Sequence, residues 1–391
     1  MPAEAAAKPS LGPSGRDLRF DSFRGLMLVS MTINHLPSAA RMFTDEPLGI
    51  FSSAEGFVFL SGLLAGWVYT RRLRRDGEAG LRAAAVHRAT TIWGWQVAAF
   101  LGCLGAILLL CWVTGFCSWT SPPLFYAHPW LSVLLGCTML YQPGLLDILP
   151  MYCFFVLLLP PVLKALEAGR YGRVLAWSAL PWLLVQWIPP VDGAPLYPIH
   201  VGSFNLFAWQ FLFVAGAVIG HARVTRPDFG LMKFRPLALL GALALGCFGF
   251  CLQRLHWHPP IPDDLFGTLL NKPNLGAFRL LNFGVAAYLF GLLGAAVPKL
   301  VTWRPLAFLG QHSLVVVAAQ SVAVSSLIQF DVLFATPWLN WLTTAASVAF
   351  LFAAAAAHER FAQAAKKDRG PFQPRQTPAL GVSRPHEVRA A

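Results

Sequence analysis

The residues best placed to do chemistry in this chain are ionisable groups lying in or beside long apolar runs, where a charge is expensive and so marks a functional position. On the first such run, Asp21, Arg24 and His35 fall within roughly 60° of one another on one helix face at 100° per residue. His35 lies about 16 Å beyond Arg24 on that face, so a charge pair marks one end and a titratable imidazole the other. An imidazole is the side chain best suited to moving protons near neutrality. The competing reading is an Asp–Arg pair that fixes topology and a histidine at the membrane interface. Glu55 opens the second run in Ser53-Ala54-Glu55. The chain must turn between the two runs, so Glu55 is expected at about the depth of His35. There its carboxylate would raise the basicity of the imidazole and fix its tautomer.

Further polar groups form a second rank. Asp147 opens a later span near the outer face, and Gln210, beside Trp209, lies inside another. Lys272 and Arg279 are among the few basic residues expected outside, and His312 and Gln320 lie within the ninth span. Each has a bland reading too, as a helix start, an interhelical hydrogen bond or a bonded core histidine. Gly62 and Gly66 make a small-xxx-small face that lets another helix backbone approach closely.

The elements that must carry these groups follow from composition. The chain has 391 residues, 56% hydrophobic and 12% charged, with a mean hydropathy of +0.56. Soluble domains carry about twice that charge fraction, so one water-soluble core cannot absorb this much apolar surface. The net charge of +12 is scattered in short segments between apolar runs. It therefore reads as a topology signal, and nucleic-acid binding, which needs a concentrated basic face, is excluded. Apolar runs near the twenty residues needed to cross about 30 Å of hydrocarbon occur at Phe23–Ala39, Ile50–Tyr69, Ile92–Gly115, Leu146–Leu166 and Val174–Pro190. They continue at Phe204–Ala222, Pro236–Leu252, Leu280–Val297, Pro305–Ile328 and Trp338–His358. The expected fold is all-α, a polytopic integral membrane protein of about ten transmembrane helices, since each helix satisfies its own backbone in the bilayer.

Basic residues set the orientation. With both termini cytoplasmic, and with Pro129–Tyr141 re-entrant or lying on the outer surface, 26 of the 30 Lys and Arg residues fall inside. Only Arg41, Arg254, Lys272 and Arg279 fall outside, the bias the positive-inside rule demands. Were Pro129–Tyr141 to cross, every later loop would invert and the bias would collapse. Residues 1–15 have no apolar core and read as a disordered tail, and 361–391 as a basic disordered cytoplasmic tail. Cys247 and Cys251 share a helix face but have no ligating companions, so packing is expected there and no metal. Cys117 and Cys137 lie in the outer segment, where compartment permits a disulfide.

The run from Arg16 to Gly25, the Asn34-His35 end and Ala54 to Gly62 closely resemble the OpgC family, associated with succinylation of osmoregulated periplasmic glucans in Gram-negative bacteria. So do Leu146 to Tyr152, Phe204 to Gln210, Asn271-Lys272 with Arg279 to Leu281, and Leu309 to Leu314. The similarity runs from about Arg16 to Gln320. More loosely, Asp21-x-x-Arg24-Gly25 with His35, then Phe57 to Gly62, is similar to the acyltransferase-3 membrane families. Those families commonly carry arginines after the second span, a pattern that Arg82 and Arg88 match only approximately.

The resemblance implies an acyltransferase domain over residues 16–360 in the bacterial inner membrane. It would move an acyl group, expected to be succinyl, from cytoplasmic acyl-CoA to hydroxyls of a periplasmic glucan. No permanently bound cofactor is expected. His35 would be the base, or carry the acyl group as an acyl-imidazole, with Glu55 orienting it. Asp21, Arg24, Arg82 and Arg88 would form the donor side. Asp147, Gln210, Lys272, Arg279 and His312 remain as acceptor-side or other candidates. A transporter or flippase of a small acid or glycan is the alternative, and matched broken helices in two repeats would favour it. The oligomeric state stays open.

Overall fold

The computed structural model describes residues 17–115, 127–142, 144–187, 202–226 and 235–368. Among these it is built from α-helices: α1 (Leu18–His35), α2 (Arg41–Thr44), α3 (Ser53–Thr114), α4 (Pro129–Cys137), α5 (Ile148–Glu167), α6 (Tyr171–Val185) and α7 (Leu206–Thr225). They are followed by α8 (Pro236–Arg254), α9 (Asp263–Leu270), α10 (Ala277–Ala296), α11 (Arg304–Gln311), α12 (Ser313–Leu327), α13 (Val332–Ala335) and α14 (Pro337–Asp368). The expected tail at residues 1–15 lies outside the described residues. Of the expected C-terminal tail, residues 361–368 are helical as the end of α14, and 369–391 lie outside the described residues.

Six helices among the described residues are long and apolar enough to cross a membrane: α3, α5, α7, α8, α10 and most of α14. The pair α11 and α12 would make a seventh, but it is bent by 87° at His312. The expected ten is therefore not reached by length and composition, for definite reasons. α1 carries Arg19, Asp21 and Arg24 within eighteen residues. α6 is a helix of 15 residues ending at Val185, short of the expected Pro190. The second and third expected spans are joined in the single 62-residue α3.

That long helix is not straight. Gly77 has φ +69° and ψ −173°, a conformation only glycine adopts without strain. The two halves run in opposite directions against α5. Arg74 pairs with Glu167 at 2.8 Å and Lys164 with Glu78 at 3.0 Å, at one end of α5. Gln96 then donates to the Leu146 carbonyl (3.0 Å) just before the other end. α4, with nine residues, rises only about 13 Å and cannot cross. It lies on the second half of α3, where Trp93 Nε1 donates to the Cys137 carbonyl (2.9 Å).

Packing at the centre is by glycine. A Cβ on Gly62 or Gly66 would strike the Phe213 or Ala217 carbonyl of α7, and one on Gly216 or Gly220 would strike the Phe59 or Leu63 carbonyl of α3. The small-residue face expected on α3 thus meets a second one on α7. α7 also buries Trp209 and Phe213 completely, and the Phe213 ring lies 5.2 Å from that of Phe155 on α5. Large apolar side chains such as Trp112, Trp177 and Leu237 stay exposed, as a bilayer-facing surface requires.

Candidate functional site

The segment after α1 decides the site. Instead of turning tightly, residues 36–52 climb past the end of α1 and return, held by side chains from three distant helices. Asn340 of α14 takes the Ala39 N–H (3.0 Å) and donates to the Pro37 carbonyl (3.1 Å), and Ser38 bonds Thr344 at 2.7 Å. Arg254, at the end of α8, donates to the Met42 carbonyl (2.7 Å). Asn34 and Thr44 close the loop on itself, and Asn282 of α10 accepts the Ile50 N–H at 2.8 Å. Gly49, at φ +140°, lies against Asn282, where no side chain would fit.

This path places Glu55 deeper than expected. Gly56 faces Met27, and the Phe20 and Trp67 rings meet at 6.0 Å, so α1 and the first half of α3 run antiparallel. His35, eight residues beyond Met27, then lies about 12 Å further along the bundle than Gly56, the fourth residue of α3. Glu55 is accordingly not beside His35. Its Oε2 accepts the Ser52 N–H (2.9 Å) and hydroxyl (2.5 Å) in a capping box. Its Oε1 accepts from Arg279 Nη1 at 2.7 Å. Arg279 also reaches Glu46 (2.6 Å) and the Leu270 carbonyl (3.2 Å). All three charges are enclosed, with Glu55 fully buried and Arg279 5% exposed. Arg279 is therefore not an open outer cation, as expected from sequence, but the common partner of two buried carboxylates. Glu46 sits in the left-handed region, at φ 51°.

His35 is exposed at the last position of α1. Its charged neighbours are Lys272 and Arg41, with Asp45 opposite in sign and paired to Arg41 at 2.8 Å. No hydrogen bond to the described residues occupies its ring. Lys272 is brought there by the turn from Asn271 to Gly276, which is clamped from two sides. Gln186 and Trp182 of the α6 segment donate to the carbonyls of Asn274 (2.7 Å) and Leu275 (2.8 Å). Trp209 of α7 donates to that of Pro273 (3.0 Å). His35 and Lys272 are thus gathered at one end of the bundle, above the buried Glu46–Arg279–Glu55 group.

The other candidates lie elsewhere. Gln210 spends its amide between helices: Ser178 Oγ donates to its Oε1 (2.7 Å), and its Nε2 donates to the Ser178 carbonyl (2.5 Å). Asp147 accepts the Ser203 N–H at 3.1 Å, joining the starts of α5 and α7. Arg82 pairs with Glu78, whose carboxyl is held below its ordinary range by Lys164 first and by Arg82. Arg88 is half-buried, close to Tyr69.

Asp21 and Arg24 lie inside the bundle, below the opposite end, because α11 wraps across α1. Gly25 and Gly310 let the two backbones touch, at the carbonyls of Leu306 and Asp21. Arg24 donates to Ser313 at 2.5 Å and stacks over Phe57 at 5.7 Å, and Gln311 reaches Asp21 at 3.4 Å. His312 is no ordinary intrahelical histidine. It occupies the break itself, with Nδ1 at 3.0 Å from the Phe308 carbonyl and its ring 5.6 Å from that of His358. Seven residues beyond Ser313, about 10 Å toward the His35 end, Gln320 buries an Oε1 that has no partner among the described residues.

Sequence reasoning missed Glu46, Asn282, Asn340 and His358. Glu46 had a signal, being one of two carboxylates in the short segment after α1. The two asparagines had none, since a lone amide in an apolar run has no assignable partner until the helices are assembled. Of the two outer-segment cysteines, Cys137 is free and Cys117 lies outside the described residues, while Cys111 is disulfide-bonded. Among the described residues no cluster of three or more His, Cys, Asp or Glu could hold a metal.

Compared with known proteins, the chain matches the family model described as OpgC protein over residues 16–363. No curated protein and no solved structure matches it.

Proposed function

The chain belongs to the OpgC family, whose members are associated with modification of osmoregulated periplasmic glucans, and on that premise we propose that it is a membrane O-acyltransferase. The donor in this reading is a cytoplasmic acyl-CoA, with succinyl as the group transferred, and the acceptor is a hydroxyl of a periplasmic glucan. One observation carries it: His35 is an exposed imidazole at the end of a bundle, unoccupied by hydrogen bonds to the described residues and flanked by Lys272 and Arg41. Two cations beside a proton acceptor suit an acyl group that bears its own carboxylate, or an anionic glucan.

The chemistry is a single displacement. A ring nitrogen of His35 takes the proton of the sugar hydroxyl while the hydroxyl oxygen attacks the thioester carbonyl. The C–S bond then breaks, the new C–O ester bond remains on the glucan, and the departing thiolate takes the proton back from the imidazolium. Glu55 acts at a distance in this scheme. With Arg279 and Glu46 it fixes the segment that surrounds His35, which makes it a positioning residue. Arg24, Asp21, Arg82 and Arg88 remain the donor side, with the Ser313–Gln320 face of α12 as the route between the two ends.

The orientation follows from charge. Placing the Arg74–Glu167 end in the cytoplasm keeps 26 of 30 basic residues inside, and puts the disulfide-bonded Cys111 toward the oxidising side. It implies two crossings for α3 and one each for α1, α6 and the bent α11–α12 pair, ten in all. The break at His312 is the one observation that favours a transporter instead, since discontinuous helices line transport sites. The two readings separate by product. Mass spectrometry of periplasmic glucans should show acyl esters in cells carrying the wild-type gene and a loss of about a hundred- to ten-thousand-fold with His35→Ala at matched protein level. Normal acylation by His35→Ala would remove the imidazole from the mechanism.

A further inference from the structure

Away from the candidate site, a cavity of about 400 Å³ opens between α5 and α6 over a floor from α7. Its walls are apolar, formed by Leu158, Pro161 and Val162 on one side and Trp177 on the other, with Val214 beneath. One end alone is charged, by Arg170 and Arg173. Neither has a carboxylate within ion-pair distance among the described residues. Two carboxylates at this end of α5 are engaged elsewhere, Glu167 with Arg74 and Glu78 with Lys164 and Arg82. The only other polar lining groups, Ser178 and Gln210, satisfy each other.

We propose that this groove is a binding site for an anionic phospholipid of the cytoplasmic leaflet, its phosphate held by Arg170 and Arg173 and one acyl chain laid along α5. The length fits. From Ala165 to Leu158 the groove runs about 10 Å along α5, within the 15 Å or so of one leaflet's hydrocarbon. The two arginines stand at the Arg74–Glu167 end, the cytoplasmic side by charge bias, where anionic headgroups attract basic side chains. The first amides of α6 begin at the same place and add their positive end to the phosphate. A soluble donor would need a mouth open to water, whereas this groove opens beside the exposed Trp177, on the lipid-facing surface. The inference depends on the orientation and not on the acyltransferase reading.

The test uses the full-length protein in nanodiscs of phosphatidylcholine, with phosphatidylglycerol added stepwise and binding followed by thermal shift and native mass spectrometry. Phosphatidylglycerol should raise the melting temperature and stay bound. The double variant Arg170→Ala/Arg173→Ala should weaken that binding roughly thirtyfold, at about 1 kcal/mol per basic residue, while Arg235→Ala leaves it unchanged. Val162→Trp, which fills the groove without touching charge, should weaken it as well. Equal shifts with both lipids, or wild-type binding in the double variant and in Val162→Trp, would overturn the proposal. So would a matching shift from inorganic phosphate or acyl-CoA, which would make the groove a site for soluble phosphates.

Discussion

At the scale of single residues, the chain's buried charge is concentrated where a loop is pinned to helices. Arg279 serves Glu46 and Glu55 at once, so removing it would leave two carboxylates enclosed with no cation. Breaking a buried pair by deleting one partner typically costs about 3–5 kcal/mol. Arg279→Met should therefore lower the melting temperature of the purified protein far more than Arg41→Met, whose bond to Asp45 is solvent-exposed. If both variants melt alike, the buried group is not a structural lock. Glu55→Gln keeps the capping hydrogen bond but loses the charge. It should retain more glucan acylation than His35→Ala, because it acts through the loop and not on the reacting oxygen. Equal loss in both would place Glu55 in the chemistry itself. Arg24→Ala should weaken acyl-CoA binding and spare glucan binding, and titration of folded variants with acyl-CoA decides it. His35 could be picked from the sequence because an ionisable group in an apolar run is rare. Its distance from Glu55 could not, because it depends on a loop held by Arg254, Asn282 and Asn340, each from a remote part of the chain.

Secondary-structure elements meet here through missing side chains. Where α1 crosses α11, Gly25 and Gly310 bring backbone onto backbone, and that crossing carries Gln311 to Asp21 and Ser313 to Arg24. A larger residue at Gly310 must push α11 off α1, whereas Gly284 on α10 faces open space. Gly310→Leu should accordingly reduce folded protein in the membrane and acyl-CoA binding together, with Gly284→Leu close to wild type. Detergent-extracted yield and melting temperature are the readouts, and indifference to Gly310→Leu would show that the crossing is loose. The glycine face at Gly62 and Gly66 was legible as spacing, but its partner at Gly216 and Gly220 was not singled out. Small residues four apart become informative only when two helices are known to cross.

For the whole molecule, the testable quantity is topology. Reporter fusions after Leu73, Gly169 and Val224 should report cytoplasm, and one after Trp257 should report periplasm. A periplasmic signal at Gly169 would defeat both the ten-crossing reading and the side assigned to the lipid groove. The sequence by itself determined that this is a helical membrane protein, since 56% hydrophobic residues in runs near twenty leave no soluble alternative. It also singled out His35, Asp21 and Arg24, because the cost of burying charge depends on residue type and local surroundings alone. Only the tertiary structure decided which charges meet. Hydrogen bonds and ion pairs between residues 224 and 233 positions apart, as from Arg279 to Glu55 and Glu46, depend on helix order, depth and crossing. None of these is encoded in the periodicity of a single run. The break at His312 and the reversal at Gly77 have the same origin. Hydropathy averages over a window and registers how apolar a segment is, while a bend is settled by backbone angles and by the neighbour it must fit.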